Sequence, residues 1–564
     1  MSATCLADLE SLTQPEKDLL ADFGNGLFHR CGDGRVPAAG DATREIRAEL
    51  LRLLLLGGAD IPKLHEKGLR VSGAWITGAL DLEGCRVMRD LRLADCRFDG
   101  TMTLRSAAID TLLLDGSVMP GLVANRVEAR GSIYARAVEF QNTVDLQGAR
   151  LGGDLVLDGS SIRSAGDRAF DGSHISMRGD MTFRDTSIHG TLHISGAQLG
   201  GDLALTGANI VHPDAAGVNA VGIRVGGDMV LRGARIAGET NLIGARIAGD
   251  ITLDSGTFGL PGKLALTLNR AVIEGALFLR NGARVLGALS LNGTQAGIIV
   301  DEKESWPGPG DLLLNRFTYK GFLASNVDAR SRLDWLSRQD PARWGEDFWP
   351  QPYEQLAHVL TEMGHREHAR TVLYEKERLQ RKARQLRTKS RVLRMVNAWN
   401  NGMVWATVGY GLQPLFAFLW IGVLWLISIG LLTAVQFQGQ LRPNSAVLLR
   451  APEWVLCGQL TSQEIMLPSL NQTRSGLARD GQSQLECFLE QPEAESYPRF
   501  SKWIYSLETM IPGIESGQRN YWSPDSRFAL GYIAKLFEYV QVVLGFGLGV
   551  LAFAGFSGLV RTRT

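Results

Sequence analysis

The residues of this chain that carry reactive or ligating groups fall into a few sets, and their spacing decides what each can do. Six cysteines are present, with no CxxC pair and no metal-ligand spacing. Cys85 and Cys96 occupy the same position in successive units of a repeat, which reads as buried core thiols. Cys457 and Cys487 share one loop between two apolar stretches, and on an oxidising side of a membrane they are candidates for a disulfide. His358, His365 and His368 include a pair at a helical zinc spacing, but no carboxylate or cysteine joins them at a matching place, so they read as a solvated hairpin turn. Gly545, Gly547 and Gly549 look like the start of a dinucleotide fingerprint, yet no strand precedes them and no acidic residue follows about 20 positions on. Thr407-Val408-Gly409-Tyr410-Gly411 spells the potassium-channel filter but precedes the first apolar stretch, and reads as an interfacial elbow with Trp399 and Trp405. No nucleophile, base and orienting residue can be assembled into a set. The sequence therefore assigns no catalytic residue, no cofactor-binding residue, no metal ligand and no cofactor.

A further set stands just before the second apolar stretch, where Phe500 to Gly513 reads FSKWIYSLETMIPG. Tyr505, Ser506, Leu507 and Thr509 resemble the pore helix of two-span cation channels, while Ile511, Pro512 and Gly513 replace the filter. Tyr505, Glu508, Thr509 and Glu515 would then stand at a cation path in an oligomer, because carboxylates beside a membrane pathway attract cations. The alternative is an amphipathic helix on the outer surface, with Trp503 and Tyr505 at the interface.

The elements that must position these residues are of membrane type. Leu415 to Val435 is 21 residues without a charge, and Tyr539 to Val560 is 22 more, followed by Arg561 and Arg563. From Arg366 to Arg394 there are eleven Lys or Arg against three Glu, a juxtamembrane balance in which Arg381, Lys382, Arg384, Arg387, Lys389, Arg391 and Arg394 are placed to meet lipid head groups. Both basic flanks favour the inside. Both termini are then cytoplasmic, with residues 438–530 outside, a loop with 8 basic and 10 acidic residues. Gly545 and Gly549, then Ala554 and Gly558, suit close helix contact and predict a homo-oligomer.

Before these elements comes a repeat of eleven residues. Leu203, Leu205, Ala208 and Ile210 are followed by Met229, Leu231, Ala234 and Ile236, then by Thr240, Leu242, Ala245 and Ile247, with the same offsets each time. Two apolar residues at spacing two make one face of a very short strand. The odd step to the third marks a corner, where Gly159, Gly196, Gly207, Gly233 and Gly244 sit. A second corner carries Gly152-Gly153-Asp154, Gly200-Gly201-Asp202 and Gly226-Gly227-Asp228. Two units close a four-sided coil, which predicts a mainly β fold: a β-solenoid of the pentapeptide-repeat kind, rising about 4.8 Å per coil. A disruption near residues 211–226, including His212-Pro213-Asp214, reads as a surface insertion. Asp41, Thr43 and Glu45 predict a capped helix through Ile46 to Leu55 that covers the first coil.

With 59 basic and 59 acidic residues the chain has no net charge to draw it to nucleic acid. The expected organisation is a helical cap over 1–68, the solenoid over 69–322, a helical hairpin and basic helix over 323–394, an elbow and first membrane helix over 395–437, an outer loop over 438–530, and a second membrane helix with basic tail over 531–564.

Taken whole, the chain resembles bacterial two-span membrane proteins with pentapeptide-like repeats that are often labelled membrane-associated oxidoreductases. The resemblance rests on the repeats, on Gln351-Pro352-Tyr353 with Leu356-Ala357, on Val408-Gly409-Tyr410-Gly411 before Pro414, and on Tyr505, Pro512 and Gln518. It implies a two-pass protein of the bacterial cytoplasmic membrane. The label also implies a redox cofactor, for which the sequence offers no flavin or nicotinamide loop, haem motif or cluster ligands. The reading favoured by the residues is a non-enzymatic membrane protein whose solenoid meets a protein partner that the sequence does not identify. A solenoid-gated cation channel is the alternative, and a redox enzyme the weaker one.

Overall fold

The computed structural model describes residues 5–9, 11–58, 60–341, 348–387, 415–458, 465–467, 472–474, 478–479, 481–511 and 513–556. The chain divides into two compact units, 1–376 and 377–564.

The first unit is a parallel β-solenoid of about 12 turns. Arg86 pairs with Ala108, Ser176 with Gln198, and Arg224 with Arg246, a step of 22 residues each time. Between them come longer coils, in which Arg150 pairs with Ser176 and Gln198 with Arg224. The extra residues bulge out of the long strands Ser161–Asp171 and Asn209–Asn219, between Arg163 and Arg168 and between Val211 and Ala216. The disruption that contains His212-Pro213-Asp214 is such a bulge.

Both corners have a physical cause. Four residues after each first inward residue the backbone enters the left-handed region: Gly207, Gly233 and Gly244 do so, and so do Asp95, Ser106, Arg126 and Asp185 where no glycine is present. The corner thus imposes its conformation whatever residue stands there, and glycine adopts it without strain. At the Gly-Gly-Asp corner the reason is space. A Cβ on Gly201 would lie 2.0 Å from Asp180 Oδ1, and one on Gly227 equally close to Asp202 Oδ1. Those oxygens are engaged: the Asp202 N–H donates to Asp180 Oδ1 at 2.8 Å, Asp228 to Asp202 at 2.8 Å, and Asp250 to Asp228 at 2.8 Å. A spine of carboxylates from Asp154 to Asp250 therefore binds successive coils in the middle of the solenoid. The interior is filled by Leu203, Leu205 and Ile210 with Ala208, Ala234 and Ala245 at the narrow points, all buried. Cys96 is buried as well, whereas Cys85, expected beside it in the core, is half-exposed.

The ends are closed differently. Helix α1 (Gln14–Gly24) begins with a Thr13–Glu16 capping box. Strands β1 (His29–Arg30) and β2 (Glu45–Arg47) add to β3 (Leu69–Ser72) and β4 (Trp75–Thr77), so the ladder starts some forty residues before the repeat does in sequence. Asp41 caps only the short turn Ala42–Arg44, and α2 (Ala48–Leu56) starts at Arg47 without a side-chain cap, burying Leu50, Leu51 and Leu54. At the other end, α3 (Ala329–Ser337) inserts Arg332, which pairs with both oxygens of Asp301 at 2.8 Å while Trp306 Nε1 donates to the same carboxylate at 2.7 Å. Its guanidinium lies 3.8 Å from the Phe322 ring centre. Helices α4 (Gln351–Glu362) and α5 (Arg366–Arg387) follow, and the Gln351 and Gln355 side-chain amides donate to the carbonyls of Phe317 and Tyr319. They satisfy the edge left open by the last coil.

The second unit contains α6 (Leu415–Phe437), α7 (Pro452–Cys457), α8 (Gln484–Leu489), α9 (Lys502–Met510), α10 (Gln518–Tyr521) and α11 (Ala529–Phe556). Two segments are long and apolar enough to cross a membrane, Ala417–Phe437 and Ala529–Val550. The second begins ten residues before the expected Tyr539 start. Lys535 and Glu538 pair with each other at 2.8 Å, so the helix runs through both charges. Cys457 and Cys487 form a disulfide joining α7 to α8. Strands Leu441–Pro443 and Trp522–Pro524 pair antiparallel, and Gln440 ties them to the start of α11 by accepting from Asp525 N and Gly531 N.

Candidate functional site

The second unit brings its polar side chains together where α9 lies along α11. Ser501 accepts the Ile504 N–H and starts α9. On the inner face, Tyr505 donates its hydroxyl to Glu538 of α11, and both side chains are buried, at 1 % and 5 % exposure. Three residues further along α11, Gln541 donates to the Ser506 carbonyl at 3.1 Å and to its hydroxyl at 3.2 Å. Gly545 comes next, where a Cβ would lie 2.4 Å from the Met510 carbonyl oxygen, so only glycine lets the end of α9 approach. Gly545 is sixteen residues into α11, a depth of about 24 Å at the helical rise.

From Met510 the chain turns back. Gln518 sits at the start of α9, with its side chain accepting the Ser501 N–H at 2.9 Å and donating to the Arg499 carbonyl at 3.1 Å. Glu508 accepts the Gln518 N–H at 2.9 Å and the Ser516 hydroxyl. Helix α9 thus runs along α11 to Met510, and residues 513–517 lead back to Gln518 at the start of α9.

This geometry sorts the residues anticipated at a path. Tyr505 and Thr509 are buried within the second unit, Thr509 bonding back to the Tyr505 carbonyl at 2.8 Å. Glu508 holds the returning chain. Glu515 is exposed on it, and Gly513 has nothing within 4 Å of an added Cβ. Pro512 lies outside the described residues. Of the four small residues placed for helix contact, Gly545 packs against Met510 of the same chain and Gly549 is open. The side chain of Ala554 and all of Gly558 lie outside the described residues. Among the basic residues, Arg381, Lys382, Arg384 and Arg387 lie on α5, while Lys389, Arg391 and Arg394, and the Thr407–Gly411 elbow, lie outside the described residues.

His365 and His368 stack with ring centres 5.7 Å apart, and among the described residues no group of three or more His, Cys, Asp or Glu is placed to hold a metal. Gly545, Gly547 and Gly549 stand inside α11 rather than at a strand-to-helix turn. On the solenoid, the bulge at Pro213–Ala216 and the turn at Leu260–Leu264 border a crease of about 370 Å³ over Gly238. Its cation is already engaged, Lys263 donating to the Pro213 carbonyl at 2.8 Å.

Two arrangements were not foreseen from sequence. One is the Lys535–Glu538–Tyr505 cluster, whose signal was two charges three apart in an otherwise apolar run. The other is at the N-terminal end, where Cys31 Sγ lies 3.3 Å from His29 Nε2 and His29 Nδ1 lies 2.9 Å from Asp22 Oδ2. The pattern His-x-Cys places both on one face of β1. It has the connectivity of a nucleophile, base and orienter, but Cys31 is buried and burial pushes its thiol up to about 11, which leaves it un-ionised at neutral pH.

Compared with protein-family models, with curated proteins and with solved structures, the chain matches none.

Proposed function

We propose that this chain is an integral membrane protein of the bacterial cytoplasmic membrane that presents its β-solenoid to a protein partner and acts as a scaffold rather than an enzyme. The observation that supports it most is the pairing, in one chain, of a solenoid sealed at both ends with two helices apolar enough to span a bilayer. A sealed solenoid offers a long surface, with a shallow crease over Gly238 among the described residues, which suits recognition of another macromolecule's surface. The basic run on α5 before the first apolar helix supports a cytoplasmic solenoid. The test is alkaline carbonate extraction of membranes carrying the full chain, followed by cross-linking in place. Retention in the membrane with cross-links from solenoid positions to one defined protein is expected. Release as a peripheral protein overturns the reading.

A cation path assembled from several copies is a second reading, favoured by the course of α9 along α11, by the return of residues 513–517 to Gln518 and by Glu515 exposed on the returning chain. Conductance of the purified protein in planar bilayers, with the subunit count determined in the same detergent, decides it. Cation-selective current that loses selectivity in Glu515→Gln is expected on this reading, and a silent monomer sinks it.

A further inference from the structure

One outer face of the solenoid differs in chemistry from the others. Side chains alternate in and out along each short strand, so Ala204, between Leu203 and Leu205 that are each 1 % exposed, points outward. Its ladder partners run in one direction through Thr182 and Val156 to Leu113, and in the other through Val230 to Phe278. None of the eight residues in this column is charged, over a length of about 34 Å. Thr182 and Ala204 are recessed, at 4 % exposure, and the larger side chains on either side of them are half-buried. The equivalent column half a coil away carries Asp145, Asp171, His193 and Asn219, so the fold itself does not call for apolar residues at this position. A contiguous apolar stripe on an outer face marks a place of contact. Two positions further along each coil, also outward, runs a row of alternating Asp and Arg that starts at Asp115, ends at Arg280 and is interrupted by Thr206. Arg136 and Arg280 of that row lie over the rings of Tyr134 and Phe278, at 4.5 and 4.9 Å, so row and stripe form one surface.

We propose that a second copy of the chain docks on this face, antiparallel, about a two-fold axis between the coils of Thr182 and Ala204. Such an axis reverses the order of the coils and keeps the strand direction, so stripe meets stripe and the charged row meets its own copy. Asp158 then faces the partner's Arg232, Arg136 the partner's Asp254, and Asp115 the partner's Arg280. In the stripe, Val156 faces the partner's Val230 and Tyr134 the partner's smaller Thr252. Moving the partner by one coil sets Arg184 against the partner's Arg232 and Asp158 against the partner's Asp254, so like charges reject that register. The order of charges thus names the occupant, because it is complementary to itself read backwards. Within one chain the same groups pair along the row at 3.2–3.7 Å, and such exposed pairs are weak enough to exchange for pairs across the contact. The pairing needs only the solenoid surface and stands apart from the membrane reading and from any other protein that the solenoid meets.

The experiment uses the full-length protein in detergent, with the half-exposed Cys5 and Cys85 replaced by Ser so that a thiol reagent reaches introduced cysteines. Val156→Cys and Val230→Cys are made in two differently tagged chains, which are co-expressed, purified together and treated with a short bis-methanethiosulfonate. Linked pairs of unlike chains are expected, in several-fold excess over links between two like chains. Arg232→Glu in both chains sets like charge against Asp158 and should lower the linked fraction several-fold. Circular dichroism checks the β signal of each variant, and Tyr134→Cys with Thr252→Cys tests the same register should either valine replacement fail to fold. The linked pair is expected whether or not carbonate extraction releases the chain from membranes, so this reading and the membrane reading fail separately. Absence of links between folded unlike chains overturns the proposal. Like chains linked as well as unlike ones, undiminished linking in Arg232→Glu, or links from Val230→Cys to a different protein in place of a second copy overturn it too.

Discussion

The two units are held together in opposite ways. The solenoid repeats the same devices from coil to coil: left-handed corners, buried apolar pairs at spacing two, a rung of backbone hydrogen bonds and, over five consecutive coils, an Asp accepting the next coil's N–H. In the second unit each device occurs once among the described residues: one disulfide, one buried carboxylate between α9 and α11, and one glutamine closing the start of α11. Repetition spreads stability over many equivalent contacts, and damage to one stays local. Single contacts concentrate it, and they are also what one substitution or a reductant can alter.

The sharpest test of that contrast is a single device inside the repetitive unit. Arg332 is wholly buried, and Asp301, the carboxylate it pairs with, is buried with it. Arg332→Met leaves that charge unpaired, a loss of about 3–5 kcal/mol. Amide hydrogen exchange should show the loss in residues 318–322 and α3 while coils between residues 150 and 250 keep their protection. Equal loss in those middle coils would show that the rod unfolds as one and would break the comparison. The disulfide comes next. It closes a loop of 30 residues, and Cys457→Ala should destabilise α7 and α8 by about 2–4 kcal/mol. Exchange in the solenoid should not change.

The same contrast explains what was legible in the sequence. The repeat could be read because each inward position recurs in many copies: Leu203, Met229 and Thr240 give the offsets, and the buried faces follow from period two. The first coil was hidden because β1 and β2 are two and three residues long and come from a segment without the repeat, so only the paired backbone identifies them. Gly-Gly-Asp was seen as a corner, but its cause was not, because the clash at Gly201 is with a side chain from the coil below. In the second unit Tyr505 and Glu508 stand out by residue type alone. Their opposite roles, one facing α11 and one clasping the returning chain, depend on partners 33 and 10 residues away. Glu538 leaves no mark in the apolar run, because the charge-free stretch starts at Tyr539, just after it.

A smaller effect is expected within the carboxylate spine. Asp202→Ala removes one acceptor from the Asp228 N–H and should cost about 1–3 kcal/mol, confined to the two adjoining coils. Asp202→Asn keeps an acceptor and removes one of several like charges stacked about 4.8 Å apart, so it should be neutral or stabilising. Denaturant titrations of the two variants separate hydrogen bonding from charge. If Asn is as damaging as Ala, the spine needs the charge itself.

The smallest expected effect concerns Cys31, where one arrangement supports two incompatible roles. A working triad would make the Cys31 thiol more reactive than the others, since His29 would take its proton and Asp22 would hold the ring. Burial works the other way and pushes the thiol up to about 11, even with the Arg44 guanidinium pulling it down. The unfolded thiol ionises near pH 8.5, roughly, so the unfolded state binds fewer protons above that pH. Stability from this group is therefore complete below about pH 8.5 and declines as pH rises toward the folded value. Iodoacetamide at neutral pH should label half-exposed Cys5 and Cys85 first and leave Cys31 and Cys96 intact until the protein is denatured. Labelling of Cys31 ahead of Cys85 would show an ionised, accessible thiol, and the N-terminal end would then be a reactive site rather than a cap.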